Sequence, residues 1–269
     1  MTPSINISRR KILIIGAMLL LVITSIGCSS REEKSISFLN KGVKLYKAGQ
    51  YEKAALEFKN VIQLDPDFAR AHLYLGKTYV KSGKPNKARG SLSRALKLNG
   101  DLDGARLDLG TILVMSGKGK EALENITPMI DKDPANGKAL LVAAQAHLLL
   151  RQPDEAIKHL EKIDEKKKQV LHAYASAFNL LGKTEMVKEY LNKYQGVAPE
   201  NPASYLVLSK IYTKEKDFGK AEAEIRKLIS EKKEDPSYPL LLCKFFLETG
   251  QKQKAEAELG RLVTENPRE

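Results

Sequence analysis

The chain has 269 residues, of which 42% are hydrophobic and 29% charged, with two cysteines, no Trp and a net charge of +12. Apolar residues recur throughout, which excludes a disordered chain, and two cysteines exclude a disulfide framework. Arg9, Arg10 and Lys11 supply three of the positive charges, so the part after residue 27 still carries +9. That excess either favours anionic partners or simply solubilises the surface.

The first element is an address. Arg9-Arg10-Lys11 precede an apolar run from Ile12 to about Ile26, and Gly27 and Cys28 follow. A basic start, a short apolar stretch and a small residue before a cut site describe a signal peptide over 1–27. A helix that spans a membrane needs about 20 apolar residues, more than this run offers. Thr24-Ser25-Ile26-Gly27-Cys28 resembles a bacterial lipoprotein cleavage site, with Ser25 where that family usually has Leu. The resemblance implies that Cys28 becomes the lipidated first residue of an exported chain. Ser29 after it implies sorting to the outer membrane, facing the periplasm, in a two-membrane host. Residues 28–34 would then be a short lipidated tether.

From residue 35 the chain repeats itself. Units start near 35, 69, 103, 137, 168, 202 and 236, spaced by 34 residues except for one interval of 31. Their mid-repeat residues are Ala54, Ala88, Ala122, Ala156, Val187, Ala221 and Ala255. The second unit reads His72, Leu75, Gly76, Tyr79, Ala88 and Leu92. This spacing resembles the tetratricopeptide repeat (TPR) family over residues 35–269. The resemblance implies an all-α, right-handed α-solenoid of about seven helix pairs.

Each residue choice has a physical reason. Two helices that cross closely need a small side chain, and the eighth positions are Gly42, Gly76, Gly110, Ala144, Ala175, Ser209 and Cys243. Cys243 is therefore expected to pack rather than react. The turn between helices needs a left-handed residue, supplied by Gly49, Gly83, Gly117, Gly182 and Gly250. Pro66, Pro134, Pro199 and Pro267 stop the second helices. The fourth unit departs from the pattern, turning through Arg151-Gln152-Pro153 and ending at Lys168 without Pro. The last helix carries Lys252, Lys254, Glu256, Glu258 and Arg261, read here as a polar outer face that partly caps the array.

Chemistry-bearing patterns are not found. His72, His147, His159 and His172 lack metal-ligand spacing, and no HExxH, CxxC, P-loop or GxGxxG occurs. The expectation is no metal, no cofactor and no enzyme activity. In TPR proteins the first helix of each unit lines the concave face. That resemblance places Leu73, Leu107 and Leu141 at fifth positions, with Met115, Leu148 and Leu149 further along. Lys77 lies on one flank, and Lys210 and Lys214 on the other. Leu39, Leu206 and Leu240 share the fifth position, where packing between units is the equal alternative. An apolar floor with basic flanks suits an apolar or acidic peptide. Chaperone-type TPR proteins grip C-terminal carboxylates with Lys and Asn where Leu39 and Val43 stand, so that clamp is absent.

Similar families are the pilot lipoproteins of type IV pili, the TPR lipoproteins of outer-membrane barrel assembly and those of exopolysaccharide export. The stretch from Phe58 to Pro66 most resembles the exopolysaccharide and PEP-CTERM group. The resemblance implies a membrane-anchored scaffold for envelope proteins. Binding of anionic polysaccharide or lipid by the basic surface is the alternative. Nucleic acid is excluded, since the chain is exported and offers no aromatic platforms.

Overall fold

The computed structural model describes residues 31–265. The signal-peptide reading over 1–27, Cys28 and Pro267 lie outside the described residues. Among the described residues there are fourteen helices and no strand. The first is α1, residues 31–47. Then come α2 (Tyr51–Leu64), α3 (Ala69–Lys81), α4 (Pro85–Leu98) and α5 (Asp103–Met115). Next are α6 (Gly119–Lys132), α7 (Gly137–Leu149), α8 (Pro153–Leu160), α9 (Lys168–Leu180) and α10 (Thr184–Val197). The last are α11 (Pro202–Lys214), α12 (Phe218–Glu231), α13 (Ser237–Glu248) and α14 (Lys252–Glu265). They are the seven helix pairs of an α-solenoid. Residues 31–34, read from sequence as tether, are already helical and continuous with α1.

The chain divides into two compact units, 1–116 and 117–269. The first holds α1 to α5 and the second α6 to α14. Within each unit, successive helices pack as antiparallel neighbours, and first helices of adjacent repeats also touch, α3 with α5 and α7 with α9.

The repeat residues act as their chemistry requires. Ala54, Ala88, Ala122, Ala156 and Ala221 are fully buried. A methyl is all the space there allows, and Ala adds good helix propensity. At Gly42 an added Cβ would sit 2.6 Å from the Phe58 ring, and at Gly76 it would sit 2.6 Å from Leu92 Cγ. The missing side chain is what lets the paired helices close onto those large residues.

The turn between the helices is the same in every repeat, although its sequence is not. Gly49, Gly83, Gly117, Gly182 and Gly250 all have φ between +67° and +76°. The equivalent positions of the fourth and sixth repeats hold Arg151 at +56° and Lys216 at +62°. Packing of the helix pair fixes the turn and overrides the preference of those side chains. The short fourth repeat is explained by α8, which has 8 residues where the other second helices have 14. Asn136, Asn201 and Asp217 cap α7, α11 and α12 by accepting hydrogen bonds from the backbone N–H groups of Ala139, Ala203 and Lys220.

Two expectations from sequence need correction. Glu258 is buried rather than solvated, held by Arg261 at 2.5 Å and Arg226 at 3.5 Å. The outer face of α14 also exposes Leu259 and Val263, so polar residues do not seal it.

Candidate functional site

The nine predicted groove residues fall into one set per unit. In the first unit Leu73, Lys77 and Leu107 are half-buried, whereas Met115 at the end of α5 is 80% exposed. Gly104 leaves room beside Lys77: a Cβ there would lie 3.3 Å from the lysine Nζ. One turn on from Gly104 stands Asp108, whose charge acts on the Tyr46 phenol. Burial, then the Asp108 charge, pushes the Tyr46 pKa up. The Tyr46 ring meets Tyr51 and Tyr74 edge-on, with centroids 5.7 and 6.4 Å apart. Aromatic rings and an acid therefore accompany the leucines here. Tyr46, Tyr74 and Asp108 come from three different repeats, so no local sequence pattern marks them as a group.

The second unit comes closer to an apolar floor with basic flanks. Leu141 and Leu148 are half-buried, and Leu149 is 45% exposed. Leu206, Lys210 and Lys214 recur every four residues along one side of α11, and all three are exposed. Leu240 and Leu247 continue the exposed apolar series on α13, and Leu180 adds a residue missed from sequence. The fifth-position leucines are thus graded. Leu39 is core, Leu73, Leu107 and Leu141 are half-buried, and Leu206 and Leu240 are open. Packing accounts for the first of these and leaves the last two free.

On the first helices Lys41, Lys168 and Lys244 are paired with Glu57, Glu200 and Glu248, but other lysines are not. Lys77, Lys210 and Lys214 form no ion pair among the described residues. Cations of the second helices are instead tied across repeats: Lys188 to Glu215 at 3.1 Å, Lys193 to Glu165 at 2.7 Å and Lys254 to Glu222 at 2.7 Å. The hydrogen bond from Lys193 to Glu165 leads the effects that push the lysine pKa up, and its ammonium also lies 4.6 Å from the Tyr190 ring centroid. Lys214 also borders a cleft formed with Asn179, Val187 and Ile211.

The histidines do not assemble a metal site. His147 and His159 stack at 5.3 Å, a contact that sequence spacing did not reveal. His147 Nδ1 donates to Gln152 at 2.8 Å, and burial lowers the His159 pKa. Among the described residues no three His, Cys, Asp or Glu side chains gather as a metal would need. Cys243 is buried, and burial pushes its thiol pKa up, away from a reactive thiolate.

Stacked helix pairs with exposed apolar and basic residues on several first helices define a helical-repeat array. Family profiles described as TPR repeat match residues 42–83, and profiles described as tetratricopeptide repeat match 113–181 and 202–235. The chain belongs to the tetratricopeptide repeat family, whose members typically act as protein-interaction scaffolds without enzyme activity. No curated protein sequence matches it. Among solved structures, a tetratricopeptide repeat protein from Parabacteroides merdae is similar with TM-score 0.67 and 18% identity, over 86% of this chain and 93% of the other. PilW, a type IV pilus biogenesis factor, gives TM-score 0.66 and 17% identity over 77% and 98%. YrrB, a TPR protein with an unusual peptide-binding site, gives 0.57 and 18% over 67% and 94%. At these identities the likeness is one of fold.

Proposed function

We propose that this protein is a membrane-anchored interaction scaffold in a bacterial envelope assembly or export system, with exopolysaccharide export favoured. The observation that carries the reading is the pairing of exposed leucines with lysines that lack ion-pair partners on the first helices, Leu206 with Lys210 and Lys214 above all. Such a surface suits an extended or helical peptide that is apolar on one side and acidic on the other. The anchor would be the lipid on Cys28, since two or three acyl chains hold a protein stably at a membrane where one does not. Among the described residues no helix is long and apolar enough to cross a membrane. A pilus biogenesis factor and a peptide-binding protein among similar folds agree with this class of function.

Anionic polysaccharide is the competing ligand. It would use the lysines and leave the leucines without a role, so the leucines favour a peptide. The test is photo-cross-linking from Met115 and Leu149 in the native host, with adducts identified by mass spectrometry. One envelope or export protein captured at both sites is the expected result. Absence of any protein adduct from a correctly anchored chain, with salt-sensitive retention on acidic polysaccharide, would transfer the function to the basic surface. Labelling with a palmitate analogue, lost in Cys28→Ala, checks the anchor separately.

A further inference from the structure

We infer that a polar notch in the second unit, centred on His172, is a subsite for one carboxylate side chain, Asp or Glu, of a peptide lying along the first helices. The inference deepens the peptide-binding reading above and rests on it.

The repeat pattern marks the place. Six repeats hold leucine at the fifth position of the first helix, and the fifth repeat alone holds a histidine, His172, which is exposed. A leucine there would extend the apolar face, whereas the imidazole interrupts it with a hydrogen-bonding group. Around it lies a cavity of about 230 Å³, lined by Gln145 of α7, Lys168, Gln169 and His172 of α9, Tyr194 of α10, and Asn201. Polar side chains from separate helices thus converge on one small space, the arrangement that fixes the orientation of a ligand group.

The lining selects the charge of the occupant. None of the six residues is acidic, and each offers an N–H or O–H. Asn201 is fixed at both ends: its Oδ1 accepts from the backbone N–H of Ala203 at 3.0 Å, and its Nδ2 donates to the Tyr194 hydroxyl at 2.8 Å. Tyr194 is buried, and accepting that bond leaves its own hydroxyl hydrogen to donate. The His172 ring is tilted against the Tyr194 ring, with centroids 6.0 Å apart. Lys168 meets Glu200 only at 3.8 Å, beyond hydrogen-bond length, and both side chains are exposed, so the ammonium is able to turn to a closer carboxylate. A carboxylate accepts at two oxygens and donates nothing, which matches a set of donors; an amide would bring donors of its own and no charge. The flanks decide which carboxylate. Leu141 on α7 and Leu206 on α11 hold the same register position in the repeats before and after His172. A chain crossing the notch meets apolar surface on either side, which suits an internal acidic residue between apolar ones. A C-terminal carboxylate would end the chain at the notch and leave one flank uncovered.

The test uses the full chain with isotope-labelled histidine, whose four imidazole NMR signals include the one lost in His172→Leu. The peptide acetyl-Leu-Ala-Glu-Ala-Leu-amide should shift the His172 signal saturably, and its Gln counterpart should bind about tenfold more weakly. Lys168→Gln should weaken the Glu peptide by a similar factor. His172→Leu installs the residue that six other repeats carry, and circular dichroism checks that the array stays helical. No shift at His172, or equal binding of the two peptides, overturns the proposal. So does glucuronate that shifts this signal as strongly as the Glu peptide, since the notch would then belong to an acidic polysaccharide. In the native host, photo-cross-linking from Leu149 separates this inference from the scaffold reading. Capture of a partner that His172→Leu reduces supports the notch. Equal capture by both chains overturns the notch and keeps the scaffold, whereas no capture by the parent chain overturns the scaffold reading itself.

Discussion

Gly76 offers the sharpest test of the packing argument. Replacing it with Ala introduces a Cβ 2.6 Å from Leu92 Cγ, 2.7 Å from Cδ2 and 3.3 Å from the Leu92 backbone nitrogen. Leu92 is fully buried, so its side chain has no free volume to enter, and relief must come from separating α3 and α4. Overpacking of this kind costs about 1–3 kcal/mol, and the backbone contact puts Gly76→Ala near the upper end. The intrinsic helix preference runs the other way, favouring Ala over Gly by about 1 kcal/mol. Gly90, inside α4, isolates that second effect, since a Cβ there meets nothing within 4 Å. The net expectation is a loss of about 1–2 kcal/mol for Gly76→Ala and a gain of about 0.5–1 kcal/mol for Gly90→Ala. Urea denaturation followed by circular dichroism should move the two midpoints in opposite directions. Equal midpoints for Gly76→Ala and the parent would refute the claim that the glycine is there for close approach.

Three further outcomes follow from other sites. Lys216→Gly and Arg151→Gly should each raise stability by about 0.5–1 kcal/mol, because Gly relieves the left-handed strain at some cost in unfolded-state entropy; thermal melts check this. Burial lowers the His159 pKa, with the His147 and Lys162 charges adding to it. The unfolded chain therefore takes up a proton first as pH falls below the ordinary histidine value of about 6.5, and the second unit loses stability from there downward. His159→Phe should flatten the fall in urea midpoint between pH 7.5 and 5.5, and an unchanged slope would remove His159 as its cause. Reversing charge at Lys210 and Lys214 to Glu should abolish capture of the cross-linked partner and leave the melting temperature within a degree or two, since neither lysine holds an ion pair.

The fold was legible because a repeat imposes its period on the chain. Six alanines and a valine at one register position marked the repeats, and the first helices of the second to seventh units begin at 69, 103, 137, 168, 202 and 237, whereas α1 already begins at 31. The left-handed turns at Arg151 and Lys216 were not legible, because packing rather than local preference sets that backbone. The face of the first helices was half legible. Helical spacing placed Leu206, Lys210 and Lys214 together, but only the packed structure shows that Leu39 is core and Leu240 open. The grouping of Tyr46, Tyr74 and Asp108 depends on juxtaposing three repeats, information no single window of sequence contains. Glu258 misled because a charged residue on the last helix looks like a solvent marker, whereas two arginines allow it to be buried.

The common left-handed turn bears on where such an array can accept change. Arg151 and Lys216 hold the backbone that glycine holds in five other repeats, and both side chains are exposed. The corner of a repeat can therefore carry a new surface group at a cost of about 1–2 kcal/mol in backbone strain, while the buried residues of the helix pair stay as they are. Surface chemistry can vary at these corners without any compensating change in the core.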